Sequence, residues 1–132
     1  VVWLVTSALF DAPWGDPIAV SVLIVSTVFA IAGVATFVAS LARTERQADA
    51  ATAAVTFLLA LLGGNFVGPN QPPLLRRLSV LTPNGWSLRA FADLNADAAT
   101  LSSIATAVSV LLVMGAVFGS IGVRRVRSVM VR

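Results

Sequence analysis

The chain has 132 residues, 58% hydrophobic and only 11% charged, with a formal net charge of +3 and a mean hydropathy of +0.91. A soluble domain averages about 45–50% apolar and about 25% charged, and disordered chains are poor in apolar residues, so both classes are excluded. Cys, His and Lys are absent, which removes disulfides, thiol and imidazole chemistry, zinc sites and the lysine that a Walker A phosphate loop requires.

Counted in bilayer crossings of about 20 residues each, the chain holds three. Residues 1–10 are apolar and uncharged. They are too short to cross and lack the basic start of a signal peptide. They read as the outer end of a preceding crossing, so the chain reads as the C-terminal piece of a longer protein. Residues 17–42 carry no charge and form the first full span. The short 43–49 connection is mixed in charge. A second span is expected over 50–67, where apolar residues run up to Gly68-Pro69.

Residues 72–95 do not read as an open loop. Pro72-Pro73 suits a helix start, and Leu74, Leu75, Leu78 and Leu81 follow at helical spacing. Thr82-Pro83-Asn84-Gly85 is a turn signal. Trp86, Ala90, Phe91 and Leu94 then restart the helical period, and Asn95 ends it. The expectation is a hairpin of two short amphipathic helices at, or dipping into, the outer membrane face. Trp86 suits an interfacial aromatic position there. A third span follows over 98–123, capped by Asp97 or Thr100, and then a basic tail over 124–132.

Arginine placement orients the spans. Arg124, Arg125, Arg127 and Arg132 stand in the tail without an acid, so the C-terminus is expected in the cytoplasm. The 43–49 connection is then inside and the hairpin outside. Arg76, Arg77 and Arg89 run against this rule. The excess positive charge is scattered between apolar blocks, so no nucleic-acid partner is expected. Membrane lipid is.

The candidate functional residues are few. Small residues recur at four-residue spacing in Gly115 and Gly119, in Ala32, Thr36 and Ser40, and in Ala50 and Ala54. They permit close helix packing, within the bundle or between two copies. Gly63-Gly64-Asn65 reads either as a frayed helix end or as a break beside a translocation path, since irregular backbone at membrane depth needs protein or water around it. The spans carry no charge, which argues against ion-coupled transport. No acid pair and no nucleophile with a base is present. Arg43, Glu45, Arg46 and Gln47 read as a solvated helical turn at the inner surface or as a contact for a cytoplasmic partner.

The ordered set ARTERQADA, LLALLGGNFVGPNQPP and LLRRLSVLTPNGWSLRAFADL, followed by a span with a basic tail, resembles the C-terminal half of ABC-2 type transporter permeases. Gly63-Gly64, Pro73, Thr82-Pro83 and Trp86 match the family pattern in order and spacing, whereas Asn70-Gln71-Pro72 is more polar than that pattern. The resemblance implies an all-α polytopic bundle: three full spans, a partial span before them and an extracellular two-helix hairpin. It implies an exporter permease without a catalytic site or cofactor of its own, paired with an ATP-binding cassette ATPase and a second permease subunit in the cell membrane. Gly63, Gly64, Asn65, Pro73, Thr82, Pro83 and Trp86 would then form the outer gate. A non-transporting membrane anchor that recruits a cytoplasmic partner is the alternative.

Overall fold

The computed structural model describes residues 16–64, 72–95 and 101–130, and the regular elements among them are all helical. They are α1 (Pro17–Ala39), α2 (Glu45–Gly63), α3 (Pro73–Leu78), α4 (Pro83–Asn95) and α5 (Leu101–Met130), with a 3₁₀ turn over Ser79–Leu81 joining α3 to α4. The expected partial span over 1–10, Asn65, and the caps at Asp97 and Thr100 lie outside the described residues.

Asp16 begins α1. Its carboxylate accepts the Ile18 N–H at 2.9 Å, and Pro17 fills the first helical position. The 23 residues of α1 rise about 34 Å. The helix stops at Ala39, three residues short of the expected boundary, because Ser40 closes it. Leu41 and Ala42 then donate to the Val38 and Ala39 carbonyls in a tightened last turn.

The 43–49 connection proves shorter than expected, since α2 begins within it. Thr44 caps α2, accepting the Gln47 N–H on its hydroxyl at 3.2 Å, and the Gln47 side chain accepts the Arg43 N–H at 3.1 Å. This reciprocal pair works as a capping box. It draws Glu45, Arg46 and Asp49 into the first turns of α2 and leaves an uncharged stretch of 14 residues from Ala50 to Gly63. That stretch rises only about 21 Å. Two helical segments, Pro17–Ala39 and Ser102–Ser128, are long and apolar enough to cross a membrane; α2 is not among them. The basic residues Arg124, Arg125 and Arg127 belong to α5, which runs unbroken through them.

The core lies between α1 and α5, which pack side by side and parallel. Near their N-termini Ala19, Val20 and Leu23 meet Ile104, Ala107 and Leu111. Farther along, a Cβ on Gly33 would stand 2.5 Å from the Gly115 carbonyl oxygen. Beyond that, Gly122 lies against the Thr36 and Phe37 backbone, and the Phe37 and Phe118 rings stack at 5.5 Å. The buried line of α1 runs through Ala19, Leu23, Ser26, Ala30 and Gly33, a heptad-like spacing. The small-residue stripe expected at Ala32, Thr36 and Ser40 is one position off that line, and Ala50 and Ala54 are exposed.

α4 fills the end of the bundle where α1 and α5 begin. Ala90 and Leu94 join the core, with Trp86 and Phe91 packed against it. The outer surface stays apolar: Val25, Val28, Val113 and Phe57 are each at least 60% exposed. A soluble monomer rarely shows so continuous an apolar surface; lipid solvates it without penalty. Between helices in lipid, close packing takes over from hydrophobic burial as the cohesive force.

Candidate functional site

The candidate gate residues divide by position. Thr82 caps α4: its hydroxyl accepts the Gly85 N–H at 3.0 Å and donates to the Ser79 carbonyl at 2.9 Å. Pro83 is the first residue of α4, so Thr82-Pro83 opens the second short helix, and the turn itself falls on Ser79–Leu81. Trp86 lies one turn later and donates its indole N–H to the Val80 carbonyl at 2.7 Å. Gly85 is required between them, because a Cβ there would collide with the Ser79 carbonyl. The turn is closed on itself by hydrogen bonds, and Ser79, Thr82 and Pro83 are buried.

α2 ends against this turn. A Cβ on Gly63 would stand 2.5 Å from the Asn84 Cβ. Gly64 adopts φ 92°, the left-handed C-cap conformation, and its N–H reaches the Ala60 and Leu61 carbonyls. The glycine pair is an ordered helix cap with a close approach to α4. Gly63, Thr82, Pro83 and Trp86 come together; Gly64 borders them. Pro73 opens α3 and is exposed.

Arg89 was not singled out as a site residue, yet it fastens the hairpin. Its guanidinium donates to the Arg76 carbonyl at 2.9 Å and to the Ser79 hydroxyl at 2.8 Å, so α4 holds the C-terminal end of α3. Its charge is engaged within the hairpin. The one sequence signal was its place on the α4 face away from Ala90 and Leu94.

Arg43, Glu45, Arg46 and Gln47 stand at the opposite end of α2, about 25 Å away by helix rise. Gln47 and Arg43 are engaged in the cap; Glu45 and Arg46 are exposed. Gly115 and Gly119 lie in the middle of α5, facing Phe29 and Gly33 of α1. Gly33 and Gly122 complete this contact and went unread in the sequence, because neither forms a four-residue pair with a small residue already noted. Among the described residues no three of His, Cys, Asp and Glu come together as a metal site.

A family profile, ABC-2 type transporter, matches residues 1–96. The chain belongs to this family. ABC-2 chains are membrane transport components that are not catalytic by themselves and normally work with an ATPase partner. The match takes in α1 to α4. No characterised protein and no solved structure matches the chain.

Proposed function

We propose that this ABC-2 chain belongs to an exporter permease, which lines a substrate pathway while a separate or fused ATPase hydrolyses ATP. The observation that carries the reading is the family match together with a closed hairpin seated on the bundle end. In this reading the hairpin is the outer gate. Gly63, Gly64, Thr82, Pro83 and Trp86 set its resting position, with Pro73 at its border.

The parallel packing of α1 and α5 supports three crossings. Two parallel spans need a return path between them, and α2 runs antiparallel to α1 from the Arg43 corner to the hairpin. Its short apolar stretch is compatible with a return crossing because one side packs on α1 and the bilayer can thin locally. The cell membrane then holds the hairpin outside, with Arg43, Glu45, Arg46, Gln47 and the basic end of α5 in the cytoplasm. There the α1–α2 corner is a candidate partner contact, and a second permease subunit completes the pathway. The uncharged helices suit an apolar or amphipathic substrate.

Co-expression of the whole permease with its ATPase and reconstitution into liposomes tests this. ATPase activity is expected to exceed that of the ATPase alone, and Trp86→Glu is expected to abolish the increase while the complex still assembles. An ATPase indifferent to the permease and to Trp86→Glu would favour the anchor reading instead.

A further inference from the structure

An open groove of about 310 Å³ runs along one side of the α1–α5 contact. Ala32 and Thr36 of α1 line it, with Ala116, Gly119, Ser120 and Val123 of α5. Its hydroxyls are already engaged: Thr36 donates to the Ala32 carbonyl at 2.8 Å and Ser120 to the Val117 carbonyl at 3.0 Å. The walls therefore suit hydrocarbon. Ala32, Ala116, Ser120 and Val123 are exposed, so the groove opens onto the surface that lipid solvates. Two arginines stand at its end. Arg127 shares the helical face of Val123, four residues before it, and of Ala116, eleven before it. Arg124 is its neighbour at three-residue spacing. Arg125 falls on the opposite face, about 160–180° around α5 from Val123 and Ala116.

Depth and charge define what such a groove takes. Residues 101–123 of α5 carry no charge and rise about 34 Å, against a hydrocarbon core of about 30 Å. Arg124 and Arg127 therefore lie at headgroup depth when α5 crosses. Among the described residues neither guanidinium forms an ion pair. The acids Glu45 and Asp49 belong to α2, and α5 packs on α1 and α4 but not on α2. We propose that the groove seats one acyl chain of an anionic phospholipid whose phosphate is held by Arg124 and Arg127. A guanidinium meets a phosphate through paired hydrogen bonds, and two cations favour a lipid of net negative charge over a zwitterionic one. A soluble phosphate would leave the apolar groove unfilled. The site needs α5 to cross a membrane, for which it is long and apolar enough. It needs neither transport nor a given side of that membrane, so its failure leaves the exporter reading standing.

Native mass spectrometry of the whole permease tests this, with the protein released from micelles that contain equal phosphatidylglycerol and phosphatidylcholine. One phosphatidylglycerol per chain is expected to stay bound, retained at least about fivefold over phosphatidylcholine. Arg127→Gln is expected to lower that retention at least about threefold, and adding Arg124→Gln to abolish it. Arg125→Gln, on the opposite face, is expected to leave it unchanged. Ala116→Leu fills the groove from an exposed position and is expected to weaken retention at least about threefold. Gly119→Leu repeats the test should that variant fold poorly, since a Cβ at 119 would stand an ordinary 3.6 Å from the Gly33 Cα. Equal retention of the two lipids, or an Arg125→Gln loss as large as that of Arg127→Gln, would overturn the proposal. Unchanged lipid in both groove-filling variants would overturn it too, and a loss of pairing between chains in those variants would assign the groove to a second copy.

Discussion

Two glycines hold the hairpin end of α2 for different reasons, and substitution separates them. Gly64 needs its positive φ; Gly64→Ala is expected to cost about 1–2 kcal/mol through backbone strain. Gly85 needs its missing side chain, because the Ser79 carbonyl occupies the space. That carbonyl is backbone and cannot swing aside, so Gly85→Ala is expected to cost about 1–3 kcal/mol and to loosen the α3–α4 turn. Unfolding of the whole protein in mixed micelles measures the totals, and proteolysis at the turn separates the two. Gly85→Ala should open the turn to cleavage, whereas Gly64→Ala should not. Of this pair only Gly64 was legible in advance, as half of a Gly-Gly at an apolar boundary. The need for Gly85 and the role of Arg89 arise from contacts between α3 and α4, and no local spacing encodes them.

At the scale of the elements, two starts and one stop were readable, the stop being Asn95 at the end of α4. Asp16-Pro17 and Pro72-Pro73 carry the chemistry of a helix opening, and α1 and α3 begin there. An emphasis on charge leaves the start of α2 unmarked, because the helix opens among Glu45, Arg46 and Asp49, ahead of its uncharged stretch. The Thr44–Gln47 cap outweighs them, and a solvated first helical turn readily carries charge. The same misplaced emphasis made Thr82-Pro83 a turn, although it is the cap and first residue of α4. The Trp86 indole bond to Val80 fastens this element, and Trp86→Phe keeps most of the ring while losing the donor. A loss of about 1 kcal/mol is expected, seen as roughly fivefold faster hydrogen exchange over Ser79–Thr82. Unchanged exchange there would mean that ring packing alone holds the turn.

For the whole molecule, composition indicates a chain solvated by lipid, the uncharged blocks and the family resemblance indicate an all-helical one, and the apolar exterior of α1 and α5 agrees with both. The pairing of α1 with α5 was not readable, because the α1 stripe that mediates it mixes Ala, Leu, Ser and Gly at heptad-like spacing. GxxxG marks only one side of the contact. Parallel α1 and α5 place the hairpin at one end of the bundle and Arg124, Arg125 and Arg127 at the other, and the proposed function requires a membrane between those ends. Cysteine labelling of the whole permease in intact cells with a membrane-impermeant maleimide tests this most directly, with Asp93→Cys reporting on the hairpin and Ser128→Cys on the basic end, both positions being exposed. The account predicts labelling of Asp93→Cys in intact cells and of Ser128→Cys only after permeabilisation. Labelling of both from the same side would contradict it.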